Sequence, residues 1–359
     1  MKKILALLLI ASFASCVKED LAMQLRPGKG KGKGKPDIVV TGKYYPKTIE
    51  ELNRLNLAPG DSVFLSGNYT GNIIFAKEDS GAWIGGAAII KGTAGYGIHI
   101  LAPVTIDGAL DVSGYAIGVV IQASDVRLKG LVVHDNQGNG IQGWTGKWPA
   151  IDLKNVYVGY CKVYNNHGDF GTSTHSGSGI VLGSIDRAVI EYCEAFENGK
   201  NNRSTDGGPI GIWLADCTNS VIQYSKSHHN RAGSNKDGGG FDLDGGCSNS
   251  TIQYCESWEN EGAGYGLYEW GSPNSYTGNT VRYNTSLNDG RANGYGAISF
   301  WAADGFRLSN TEVYGNTFTG NGVHVIGSNF FNVVVRDNVF VGAVKSEPGS
   351  ITFLNNQYR

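Results

Sequence analysis

Four aspartates, Asp206, Asp237, Asp242 and Asp244, crowd one stretch of this chain. Asp206-Gly-Gly and Asp237-Gly-Gly stand 31 residues apart, and Asp242 and Asp244 alternate in Phe241-Asp242-Leu243-Asp244. In an extended strand, alternate side chains share a face, so Asp242 and Asp244 point the same way. Carboxylates packed together without cations repel and raise one another's pKa. A hard cation, Ca²⁺ first among them, would relieve that repulsion through oxygen ligands. Asp242 paired with Asp244 or Glu269 would equally make an acid/base couple. For Asp206 and Asp237 a plainer role is as open: capping Gly-rich turns through side-chain to backbone bonds. Basic residues flank the group in Arg203, His229, Arg231 and Lys236, and Trp213, Tyr268, Trp270 and Trp301 supply aromatic faces.

A repeat positions them. Tyr160, Tyr192, Tyr224, Tyr254, Tyr283 and Tyr314 step by about thirty residues, and Asn166, Asn198, Asn230, Asn260 and then Asp289 follow the first five. A second phase carries Ile141, Ile180, Ile212, Leu243, Leu267 and Ile298 in short alternating runs studded with Gly. Period-two alternation, 53 Gly and abundant Val, Ile, Tyr, Thr and Asn argue for strands rather than helical repeats. Thirty residues make three short strands with their turns, and one such unit buries its apolar face only by stacking on others. The expected fold is therefore all-β, a single right-handed parallel β-helix of about ten coils over residues 37–359. The segment 48–55 reads as a short amphipathic capping helix. Stacking places equivalent residues in ladders. Lys162, Glu194, Lys226 and Glu256 form one of alternating sign, and Cys161, Cys193 and Cys255 form one of small buried turn residues. Cys217 and Cys247 fall one coil apart, within disulfide reach if oxidised. Trp144, Gly183, Ala215, Gly246, Trp270 and Trp301 share a column, small in the middle and indole at the ends, which would form a trough. The loops 167–177, 199–208 and 231–239 share a phase and emerge on one face, where a rigid scaffold usually carries its site.

The N-terminus is of another kind. Lys2 and Lys3 precede a short apolar run, Ile4 to Ile10, too short to span a bilayer. Phe13-Ala14-Ser15-Cys16 resembles a bacterial lipobox, which implies cleavage before Cys16 and its lipidation. Lys18-Glu19-Asp20 resembles the export tag of Bacteroidetes surface lipoproteins, which implies an outer-membrane, surface-exposed protein anchored by lipid alone. Residues 16–36, with Gly and Lys alternating from Gly28 to Lys35, read as an extended tether. Eight of the 30 Lys and Arg but only two of the 32 Asp and Glu precede residue 36, leaving the folded part at −8. Such a surface argues against a nucleic-acid partner.

A helix, then Pro59-Gly60-Asp61, a strand and Gly67-Asn68-Tyr69 resembles the opening of pectate-lyase-like β-helix proteins. Lys236-Asp237-Gly-Gly-Gly-Phe241-Asp242-Leu243 is similar to the Asp-Asp-Gly-Trp-Asp-Leu calcium motif of family 9 polysaccharide lyases. Asp242 matches its last Asp, whereas Gly238 and Gly239 replace the first two. The resemblance implies a monomeric lyase that cleaves a uronic-acid-containing polysaccharide by Ca²⁺-assisted β-elimination. Asp206, Asp237, Asp242 and Asp244 would hold the ion. Lys236 would be the base, with Arg231 and His229 in reserve, and Trp213, Tyr268, Trp270, Trp301 and Arg203 would bind sugar. Two other outcomes stay open: a glycoside hydrolase using an Asp/Glu pair, and a non-catalytic surface glycan-binding protein. A C5-epimerase is a lesser one.

Overall fold

The computed structural model describes residues 22–25, 38–169, 176–205, 207–233, 236–343 and 347–359. From Lys43 onward almost every strand pairs in parallel with the equivalent strand one coil away. One wall is a continuous sheet of ten strands, one per coil, from Ile73–Phe75 to Val323–Ile326. Its central members are Ile180–Gly183, Ile210–Ala215, Gly239–Asp244, Tyr265–Glu269 and Ile298–Ala302. The remaining strands close each coil. The chain is thus a parallel β-helix with the expected number of coils.

Two sharp corners repeat in each central coil. At the first, Tyr160, Tyr192, Tyr224, Tyr254 and Tyr283 all take positive φ. Their rings are exposed and stack at 4.9 to 5.4 Å. The next residue is small and buried because it faces inward: Cys161, Cys193 and Cys255 donate to the carbonyls of Gly159, Glu191 and Gln253, and Ser225 to that of Gln223. The charge ladder follows, with Lys162–Glu194 at 3.5 Å and Lys226–Glu256 at 3.6 Å. At the second corner the Asn column turns inward. Each amide donates to the amide oxygen of the next coil, from Asn136 through Asn166, Asn198 and Asn230 to Asn260, at 2.9 to 3.1 Å. Asp289 closes the series. These bonds satisfy buried corner groups that burial would otherwise penalise. Cys217 and Cys247 are buried free thiols donating to the carbonyls of Leu182 and Leu214.

Three expectations change. The ten-stranded sheet pairs Ile212 with Phe241, Tyr265 and Ile298, so Leu243 and Leu267 belong one step further on, with Leu214 and Phe300. The two inward positions hold aromatic rings, Phe241 and Tyr265, stacked at 5.4 Å, where an aliphatic residue is the usual marker. The trough column consequently reads Gly183, Ala215, Asp244, Tyr268, Trp301, with Asp244 and Tyr268 replacing Gly246 and Trp270. The capping helix is only Ile49–Leu52, capped by Thr48, with Ile49 and Leu52 buried. Ala22–Leu25, inside the expected tether, pairs antiparallel with Ile38–Thr41. An edge strand presents free backbone groups that such a segment can meet. Cys16 and the other leader residues lie outside the described residues.

Candidate active site

Alternation on the ten-stranded sheet turns Phe241 and Leu243 into the core and Asp242 and Asp244 outward. Asp242 shares its outward column with Val181, Trp213, Gly266, Ser299 and His324. Outward here does not mean solvated. Asp242 is 3% exposed and its Oδ1 has no hydrogen-bond partner, while Asp244 is half-buried. Burial is the first cause that pushes the Asp242 carboxyl well above the usual range, followed by the charges of Asp244 and Asp237. Asp244 is raised by burial and by Asp237, Glu269 and Asp216, against one backbone N–H from Gly245. Acids and burial dominate the electrostatics of the pair.

Asp237 stands at the mouth of the loop leading into this strand, in a left-handed conformation. Its carboxylate accepts from the Gly208 N–H at 2.6 Å and the Tyr295 hydroxyl at 2.8 Å. The Tyr295 ring meets His324 edge-on at 5.9 Å. Tyr268 lies across Gly266, where a Cβ would collide with its ring. Burial, then Asp242, pushes its phenol up. Glu269, 1% exposed, accepts from Gly271 and Ser272 N–H at 2.8 Å each, and its other oxygen is unpartnered. Burial pushes its carboxyl up against those two bonds.

The other expected residues are distributed around this floor. Trp213 is buried beside Asp242 and its indole N–H donates to Ser178 at 3.0 Å. Tyr268 and Trp301 continue the Asp244 column, and Trp270 is half-exposed against Trp148. Lys236 and Arg203 are exposed on the loops, and Arg231, also exposed, pairs with Glu261 at 3.4 Å. His229 sits at the second corner, its Nδ1 2.8 Å from that of His228, which is itself stacked between Phe196 and Trp258. Asp206, with its expected stacking on Asp237, falls outside the described residues. Tyr295, Ser299, His324 and Asp216 also belong to the site. Only correct register shows Ser299 and His324 to be column-mates of Asp242, and Asp216 is marked in the sequence merely as the residue after the strand Ile210–Ala215.

A calcium centre was a natural expectation, and the donor chemistry is right for one: hard oxygens and an orphaned buried Asp242 Oδ1. Among the described residues no three His, Cys, Asp or Glu side chains converge where an ion could be held. Both Asp237 oxygens are already engaged. Asp237, Asp242 and Asp244 are the expected ligands that fall among the described residues, they do not by themselves form such a cluster, and no chemistry is routed through an ion below.

Comparison with known proteins agrees on the architecture. A family profile described as "Right handed beta helix region" matches residues 103–281. The chain has the right-handed parallel β-helix fold. Among solved structures it is similar to an alginate lyase from Paenibacillus sp. (17% identity, TM-score 0.57, covering 80% of this chain and 98% of that one). Pectate lyase Pel9A is similar at 18% identity and TM-score 0.53, covering 78% of this chain and 72% of its own. A GH136 lacto-N-biosidase from Eubacterium ramulus matches at 15% identity and TM-score 0.51, covering 87% and 64%. At these identities the likeness is one of fold. No curated protein matches by sequence.

Proposed function

We propose that this protein is a glycan-cleaving enzyme whose reacting groups are the carboxyls of Asp242 and Asp244, and that it cleaves by hydrolysis. One observation carries the reading: two carboxyls on one face of one strand, Asp242 buried and Asp244 half-buried beside it, both with raised pKa values, in outward columns that also hold Trp213, Tyr268 and Trp301. Asp242, the more deeply buried, holds the proton and gives it to the departing glycosidic oxygen. Asp244, half-exposed, accepts the proton of the incoming water. Environments that keep one acid neutral beside a second that ionises are how paired carboxyls divide these roles. Alternate residues of a strand repeat at roughly 6.6 Å, which sets the spacing of the two side chains along the strand. Trp301, partly exposed at the end of the Asp244 column, gives a sugar ring an apolar face, while Trp213 and Tyr268 are packed beneath it along the two columns. Similar folds named as alginate lyase, pectate lyase and lacto-N-biosidase support a polysaccharide substrate.

Elimination on a uronate polymer is the second reading, favoured by the two lyase names. It requires a positive group at the substrate carboxylate. Lys236 and Arg231 are exposed on the loops, and the groups that act on Asp242 are all acids. Hydrolysis asks nothing of a cation and fits an acidic floor better. The deciding assay incubates the full chain with neutral and uronate polysaccharides and follows reducing ends and ultraviolet absorbance. New reducing ends without absorbance, lost at least 10³-fold in Asp242→Asn and Asp244→Asn, are expected. An absorbing unsaturated product would replace this mechanism with elimination, and binding without cleavage would make the protein a glycan-binding one. Cys16 would anchor it at the cell surface; labelled palmitate incorporated by the wild type but not by Cys16→Ala is the matching check.

A further inference from the structure

The loop after Ile141–Gly143 behaves unlike the other turns leaving the ten-stranded sheet. It reaches across three intervening coils to meet the loop after Tyr265–Glu269. Their junction is a buried carboxylate. Asp216, 2% exposed, accepts from the Trp148 indole N–H at 3.0 Å, from the Asn274 amide at 2.8 Å and from the Ser272 hydroxyl. The Asn274 amide also donates to the Pro149 carbonyl at 2.9 Å, tying one loop to the other. At the base, the Thr145 hydroxyl donates to Asp152, and Lys147 pairs with it at 3.4 Å. A buried acid with three donors is a strong anchor, because removing any partner leaves charge desolvated and unmet.

What the anchor holds is exposed. Trp148 and Trp270 lie with ring centres 5.5 Å apart, tilted by 34°, and each keeps 39% of its surface in solvent. Neither indole is turned into the core, so both keep an apolar face open to solvent. Two glycines are shaped around the assembly. A Cβ at Gly245 would run into the Trp270 indole, and one at Gly246 into Asn274, Ser272 and Asp216. Gly245 and Gly246 directly follow Asp244 in the chain. The Trp270 indole therefore rests on the backbone next to the carboxyl pair.

We propose that Trp148 and Trp270 form a platform that stacks a pyranose ring of the glycan beside the reacting bond, with Asp216 as the positioning residue that holds the strap. The inference rests on the glycan reading above but concerns binding, so the two can fail separately. Its test is titration of the full chain with xylo-, chito-, galacturonate and mannuronate hexasaccharides, following indole emission. Trypsin cleavage after Lys147 reports strap opening. The wild type is expected to shift its emission with at least one of the four. Trp148→Ala and Trp270→Ala should weaken that binding at least tenfold, and Trp148→Phe should recover part of it. Asp216→Asn should weaken binding and expose Lys147 to trypsin while the melting temperature of the β-helix holds. Unchanged affinity in the two Trp variants would overturn the platform even if cleavage stands. Platform-dependent binding without cleavage by the wild type would instead remove the hydrolase reading. No emission shift with any of the four would overturn the platform.

Discussion

Replacing Asp289 by Asn should stabilise the protein at neutral pH and do nothing in acid. Asp289 ends the inward Asn ladder and is fully buried. Its Oδ1 accepts from the Asn260 backbone at 3.0 Å and side chain at 2.8 Å, and its Oδ2 accepts from the Ser286 hydroxyl at 2.6 Å. In the two preceding coils the equivalent atom is an amide nitrogen that donates to serine, Asn230 to Ser227 at 3.1 Å and Asn260 to Ser257 at 3.0 Å. Asn at 289 thus has a ready-made place. Burial pushes the Asp289 carboxyl up to about 6 despite those bonds. An unfolded Asp titrates near ~3.9, and each unit of difference is worth about 1.4 kcal/mol. Between these values the folded form binds more protons, so stability falls as pH rises from about 4 to about 6 and stays lower above. The cost at pH 7.5 is roughly 3 kcal/mol as an upper figure. Asn carries no such cost. Urea midpoints for wild type and Asp289→Asn should separate at pH 7.5 and converge at pH 4. A variant less stable than wild type at pH 7.5 would refute the reasoning: the aligned ladder amides would then outweigh burial in favouring the carboxylate.

The same sign applies at the site. Asp242→Asn removes a buried acid held above its usual range, so it should raise the melting temperature at pH 7 but not at pH 4 while abolishing cleavage; a lower melting temperature at pH 7 would count against burial as the dominant cause. Gly245→Ala should displace the Trp270 indole, visible as a red-shifted emission and a raised KM with the fold intact by circular dichroism. Chelation with EDTA should leave both melting temperature and cleavage unchanged, because no three ligands converge among the described residues; a drop restored by CaCl₂ would show that the loops gather them.

Much of this architecture is legible in the chain because its ladders are spelled in residues with few alternatives. Tyr at a left-handed corner, a small residue after it and an inward Asn each mark one position per coil, and counting between them yields the fold. The charge ladder of Lys162 and Glu194 is equally plain. The site was harder. Loops of unequal length precede the strands of the ten-stranded sheet, so register must be found anew in each coil. Where inward positions hold Phe241 and Tyr265 instead of Ile, the reading slips by two. That slip hid Ser299 and His324 as neighbours of Asp242 and placed Gly246 where Asp244 stands. Asp242 and Asp244 survived it, since a shift of two preserves the face. Contacts such as Trp148 to Asp216 cross several coils and leave no periodic trace.

The Asn ladder has a direction. Its first acceptor, Asn136, takes the Tyr115 N–H, and each amide then donates forward until Asp289, which accepts and passes nothing on from its carboxyl. A chain of aligned donors polarises itself. Whole coils can therefore be duplicated or lost within the series without a mismatch, whereas a partial coil breaks it. The length of the trough can change in evolution only in steps of one strand spacing, about 4.8 Å. The reach of this surface along a polymer is in that sense a counted quantity, set by how many rungs lie between Tyr115 and Asp289.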